Sequence, residues 1–89
     1  MKIVEYNDMV QSLLLGHDLE FLYKNEKYFL ENQESSHELY KMISVDEGIL
    51  FYKIEGANIK EQVDGFLSLP IFEKPISQIY SKIKILDIE

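Results

Sequence analysis

The clearest pattern in the chain is the alternation of apolar and polar residues in residues 18–24, where Leu19, Phe21 and Tyr23 occupy every second position. This spacing places side chains on one face of a β-strand. Residues 27–31 resume the alternation after Asn25-Glu26. Asparagine tolerates the positive φ of a tight turn, so the two segments predict an antiparallel hairpin with its turn at Asn25-Glu26.

Apolar residues at helical spacing come directly after two sequences typical of helix caps. Asp8 with Gln11 forms one capping box, and Asn58 with Glu61 forms the other. Gly16 lies where a left-handed residue commonly ends a helix. Pro75 suits the first turn of a further helix near the carboxyl end of the chain. Together with the apolar positions recurring every three to four residues, these signals predict helices at residues 8–15, 59–67 and 75–82.

Two glycines complicate the pattern. Gly65 lies inside the second predicted helix, where glycine costs about 1 kcal/mol relative to alanine. Ser44 and Glu47 could cap a helix, but Gly48 would then fall in its first turn. The apolar run at residues 49–54 suits a strand, which favours a turn followed by a fourth strand over a helix.

The order of elements predicts an α+β fold, with an antiparallel sheet of about four to five strands and two to three short helices packed on one face. Parallel βαβ units need longer crossover connections than the chain offers. Residues 1–89 are expected to form one domain. The predicted strands are residues 18–24, 27–31, 37–44, 49–54 and 84–88.

The charge of the chain narrows its possible partners. The net charge is −7, and all nine basic residues are lysine. A negative field repels phosphate backbones, so nucleic acid is not an expected partner. No apolar run approaches the ~20 residues of a membrane span, and no cysteine is present for a disulfide. Residues 1–6 lack the apolar core of a signal peptide. These features favour a cytoplasmic protein that does not bind membranes.

Few residues in the sequence suggest reactive chemistry. His17-Asp18 and His37-Glu38 are the only imidazole–carboxylate pairs. Two such pairs could hold Zn²⁺ or Mn²⁺ if they converged, but two surface histidines are the preferred interpretation. Ser35 and Ser36 beside His37 indicate a polar loop, because local adjacency does not align a nucleophile with its base. We therefore expect no enzyme activity, no cofactor and no metal.

Tyrosines provide the strongest signal for binding. Tyr28, Tyr40 and Tyr52 fall on neighbouring predicted strands. If they lined the sheet face away from the helices, they would form a patch suited to a protein partner or a second copy. The alternative is that they cover the edge of the core.

The leading hypothesis is a non-catalytic protein–protein interaction module. One version is an immunity-type or inhibitor protein whose acids face a basic partner. A self-associating structural subunit is the alternative, and a His/carboxylate metal protein or enzyme is the least favoured one.

Two stretches resemble a small domain of uncharacterised proteins from Gram-positive bacteria and their phages. One is the hairpin at residues 18–30, of the form acid-apolar-Glu-Phe-x-Tyr-x-Asn-x-Lys-Tyr-x-apolar. The other, residues 63–79, is similar to Phe-Leu-x-x-Pro-Ile-Phe followed by a turn and a helix. Such proteins tend to carry glycine in that turn, where Glu73-Lys74-Pro75 stands here. The resemblance implies a hairpin followed by a helix, and it gives no information about activity.

Overall fold

The structure is a computed structural model that describes residues 4–89, and its elements follow the predicted order of one helix, four strands, two helices and a final strand. A short 3₁₀ helix extends the last α-helix directly into the final strand. The elements are α1 (Tyr6–Leu14), β1 (Leu19–Tyr23), β2 (Glu26–Asn32), β3 (Ser36–Met42), β4 (Gly48–Glu55), α2 (Ile59–Ser68), α3 (Ile76–Ile79), the 3₁₀ helix Tyr80–Lys82 and β5 (Ile83–Ile88).

All five strands form one antiparallel sheet in the order β4-β3-β2-β1-β5, which confirms the predicted α+β class. The first hairpin turns at Lys24-Asn25, with φ of +51° and +65°, and not at Asn25-Glu26. Glu26 instead pairs with Tyr23 in the ladder. Two successive residues with positive φ match the type I′ turn that suits the twist of a hairpin.

The three α-helices cover one face of the sheet. Phe21 is completely buried there, and its ring centroid lies 6.3 Å from that of Phe66 in α2. The opposite face carries charged residues such as Glu20 and Lys27, whose side chains form an ion pair at 3.3 Å. The sheet therefore has one apolar and one mixed face. The buried side chains contributed by α1 and α3 are Met9, Leu13, Ile76 and Ile79.

The two predicted capping boxes have different outcomes. In α2, the Asn58 side chain accepts a hydrogen bond from the backbone N–H of Glu61 at 3.0 Å, as predicted. In α1, the predicted box with Asp8 is not formed, because the helix begins at Tyr6 and Asp8 already lies in its first turn. The Asp8 carboxylate is then near the positive end of the helix dipole. Gly16 has φ of +94°, which confirms the left-handed residue after α1.

Gly65 allows α2 to approach β4 closely. A Cβ atom added at this position would lie 2.8 Å from Cγ2 of Ile54, which is closer than packed carbon atoms approach. Ile54 is buried and its β-branched side chain has little rotamer freedom. The glycine that disfavours the helix locally is therefore required by the contact between helix and sheet.

We predict that Gly65→Ala lowers the free energy of unfolding by about 1 kcal/mol or more, because the added methyl overpacks the core. Helix propensity alone predicts a gain of about 1 kcal/mol, so the sign of the change in urea-induced unfolding distinguishes the two effects. The control is the same substitution in an Ile54→Ala background, where the obstructing methyl is absent and Gly65→Ala should no longer destabilise. A wild-type chain stabilised by Gly65→Ala would contradict the close contact.

Candidate functional site

The three tyrosines of the predicted patch do not share a face of the sheet. Tyr28 is buried on the helix side, where its ring stacks on Phe21 at 5.5 Å. Tyr52 pairs with the buried residue Leu39, so it also faces the helices. Only Tyr40 lies on the face away from the helices. The predicted common patch of Tyr28, Tyr40 and Tyr52 is therefore not formed.

Tyr40 donates a hydrogen bond from its hydroxyl to Oε1 of Glu38 at 2.7 Å. This hydrogen bond, with partial burial and the negative charges of Glu38 and Glu31, raises the pKa of Tyr40 to about 12. The phenol therefore stays protonated at alkaline pH where a free tyrosine ionises. Tyr40 lies on the open face between its cross-strand neighbours Phe29 and Leu50.

Exposed apolar side chains cluster around the start of β4. Eight large hydrophobic side chains are exposed within residues 4–89, and five of them lie between residues 43 and 51. Their exposed fractions run from 43% for Phe51 to 86% for Val45. Concentrations of exposed apolar side chains are typical of interaction sites. We call these five residues the hairpin surface: Ile43, Val45, Ile49, Leu50 and Phe51.

β4 lies at one end of the sheet, and within residues 4–89 it pairs only with β3. The register places Leu50 opposite Tyr40 on the open face and Ile49 opposite Lys41 on the helix side. An irregularity in this register makes Phe51 an additional residue, as in a β-bulge. The Phe51 ring turns to the helix side, 5.4 Å from both Tyr28 and Phe72. β4 thus presents apolar side chains on both faces along an unpaired backbone edge.

An aromatic groove opens beside Phe51 on the helix side. Its volume is about 380 Å³. Phe72 lies at its centre, with ring centroids 4.8 Å from Tyr23 and 4.9 Å from Tyr28. The groove is therefore largely aromatic with charged side chains among its walls. The residues that line it are Tyr23, Lys24, Glu26, Tyr28, Phe51, Ile71, Phe72 and Glu73.

Glu73 adopts a backbone conformation that disfavours side chains. Its φ is +72°, a region where residues other than glycine are strained by contact between Cβ and the backbone. The residue lies in a turn closed by a hydrogen bond from its N–H to the carbonyl of Pro70 at 3.2 Å. Strained residues concentrate at functional sites, and this one adds an exposed carboxylate to the groove.

The two histidines have different environments. His17 is exposed, whereas His37 is completely buried and so corrects the expectation of two surface histidines. The Nε2 of Gln62 donates to the carbonyl of Gly56 at 3.3 Å, which orients the amide oxygen toward the imidazole. His37 Nδ1 therefore carries a proton and donates it to this oxygen at 2.8 Å. Among residues 4–89, no group of three or more His, Cys, Asp or Glu side chains could hold a metal ion.

No protein-family model, curated protein or solved structure matches the chain. Within residues 4–89, every helix is too short or too polar to cross a membrane.

Sequence reasoning missed the hairpin surface, although the chain contains a signal for it. Residues 49–52 are four apolar residues in succession, whereas a strand with one solvated face alternates. Val45 lies in an otherwise polar turn. The groove residues Phe72 and Glu73 come from a loop distant in sequence, and the pattern of the strands alone carries no signal for their position.

We predict that His37 makes the stability of the protein depend on pH. Burial lowers the pKa of His37, so below about pH 6.5 the unfolded chain takes up a proton that the folded chain rejects. The free energy of unfolding should be highest above pH 7 and decline as the pH falls from 7 to 5.5, by at most about 1.4 kcal/mol per pH unit from this group. Urea-induced unfolding of wild type and His37→Gln over this range measures the effect. Equal pH slopes in the two proteins would contradict it.

We predict that Glu73→Gly raises the free energy of unfolding by up to about 1 kcal/mol, because glycine adopts a positive φ without strain. Thermal or urea-induced unfolding measures the change. Glu73→Ala is the matched control, since it removes the carboxylate but keeps Cβ. If Glu73→Ala stabilises the protein as much as Glu73→Gly, charge repulsion and not backbone strain is the cause.

Proposed function

We propose that the protein is a non-catalytic interaction module that binds an extended segment of a protein partner along the outer edge of β4. The observation that carries this proposal is the concentration of exposed apolar side chains on a strand whose outer backbone edge is unpaired within residues 4–89. Adding a strand to such an edge is an established mode of peptide recognition, in which main-chain hydrogen bonds provide affinity and alternate side chains provide specificity.

The distribution of apolar side chains suits this mode of binding. A strand added beside β4 would place side chains on both faces of the extended sheet. On the open face they would meet Leu50, and on the helix side they would meet Ile49 and Phe51. The groove next to Phe51 offers a pocket for one of these side chains.

Ile49 and Leu50 of the hairpin surface contribute little to the folded core. Ile49 is 58% exposed and Leu50 is 50% exposed, so neither side chain is removed from water by folding to the extent that a core residue is. Proteins commonly protect an exposed edge with charged residues. The first half of β4 has none, since Gly48 is followed by Ile49, Leu50 and Phe51. A binding partner that covers these side chains accounts for their position.

We expect that peptides selected from a random phage-displayed library against the wild-type protein will require the β4 edge. The matched variants are Leu50→Lys on β4 and Leu86→Lys on β5, because both leucines are exposed on edge strands at opposite ends of the sheet. Leu50 is 50% exposed before binding, so covering it contributes about 0.8–1.5 kcal/mol. Lysine at this position adds the cost of desolvating a charge, so Leu50→Lys should weaken binding by about tenfold. Leu86→Lys should bind the selected peptides like the wild type.

Amide hydrogen exchange locates the bound peptide independently, because an added strand should protect amides of β4. Failure to select any peptide, or selected peptides that bind Leu50→Lys as tightly as the wild type, would refute the proposed function.

A further inference from the structure

Resting on the proposed function, we infer that the β4 edge takes a strand with an apolar centre and basic residues at both ends, and not a second copy of this chain. Three observations support this inference: the charges along β4, the repulsion that self-pairing would create, and the acids of the adjoining groove.

Acidic residues lie at both ends of the apolar part of the β4 edge. Asp46 and Glu47 precede the strand and Glu55 ends it, and all three are exposed. The only base in residues 46–55 is Lys53, whose Nζ lies 3.9 Å from Oε1 of Glu55. The segment therefore carries a net charge of −2, from three acids and one lysine. A partner strand with lysine or arginine at its ends would match this pattern, because oppositely charged residues on neighbouring strands attract.

A second copy of the chain matches this pattern poorly. Two β4 strands paired antiparallel about a two-fold axis would bring the start of one strand to the end of the other. Asp46 and Glu47 would then approach Lys53 and Glu55 of the second copy, so each end of the pairing would hold three acids and one lysine. A parallel pairing in register would instead place each acid beside its own counterpart. Like charges on adjacent strands are destabilising, so both arrangements oppose self-association through this edge.

The groove on the helix side extends the same preference. Phe51 and Phe72 stack there at 5.4 Å, and Glu26 and Glu73 are exposed among the lining residues. A lysine or arginine stem can lie on these rings while its charge remains in water beside an acid. Lys24, the lysine that lines the groove, has its Nζ 5.4 Å from the centroid of the Tyr23 ring, within the range of a cation–π interaction.

The whole chain reinforces this local charge. Its net charge of −7 attracts basic partners over distances of about a Debye length, ~10 Å at 0.1 M salt. Such a field mainly raises the association rate and selects against acidic partners. Salt should therefore weaken recognition of a basic strand and should strengthen recognition of an acidic one.

Two synthetic decapeptides with blocked termini test the inference. Both have a centre of alternating valine and isoleucine, and one carries two lysines at each end where the other carries two glutamates. By fluorescence anisotropy at low ionic strength, the lysine peptide should bind about tenfold or more tightly than the glutamate peptide, and the difference should shrink as salt is added. On a Glu47→Lys/Glu55→Lys variant the preference should reverse. The control Asp87→Lys/Glu89→Lys makes the same change of net charge at the opposite edge and should retain the preference for lysine.

The outcomes separate this inference from the proposed function. If both peptides bind at β4 with equal affinity, the inference is overturned while the interaction module stands. If neither binds, the proposed function fails and the inference fails with it. Sedimentation of the peptide-free protein should show a monomer across a wide concentration range. A dimer that Leu50→Lys dissociates would overturn the inference in favour of a second copy.

Discussion

The packing of α2 against the sheet determines both the core and the surface that remains open. Phe66 covers Phe21, and Gly65 permits contact with Ile54 in the second half of β4. The hydrogen bond between Gln62 and His37 ties the same helix to β3. Because α2 covers β4 near Ile54, the first half of the strand is left without a helix above it. The exposure of Ile49 and Phe51 on the helix side is therefore a consequence of where α2 lies.

Much of this architecture could be predicted from local patterns, while the strand order could not. The alternation in residues 18–24 identified the buried face of β1. Residues two apart share a strand face, so Tyr28 lies on the same face as buried Leu30 in β2, and Tyr52 lies on the same face as buried Ile54 in β4. Two of the three tyrosines of the predicted patch could thus have been assigned to the helix face. Whether a strand lies at the centre or the edge of a sheet depends on pairings distant in sequence, and residues 49–52 resemble a buried central strand. The bulge that turns Phe51 toward Phe72 is equally non-local.

The two outer strands of the sheet differ in how their exposed positions are protected. β5 carries Lys84 and Asp87, and such charges discourage the addition of another strand. β4 carries a charge only from Lys53 onward, in the half that lies nearest α2. If general solubility were the only constraint, both edges would be expected to carry charges throughout. In the proposed function, the uncharged half of β4 is the part of the edge that the partner strand covers.

Backbone strain and exposed apolar surface meet at the same corner of the molecule. Phe51 belongs both to the β4 edge and to the groove, and the groove is completed by Phe72 and the strained residue Glu73. Glycine at position 73 would relieve the backbone, and polar residues at positions 49 and 50 would suit water better. The positive φ of Glu73 and the exposed apolar side chains of Ile49 and Leu50 are each unfavourable for the isolated fold. Because the strained turn at Glu73 and the exposed edge of β4 adjoin one another at Phe51, the bound segment of the proposed function would contact both features at once.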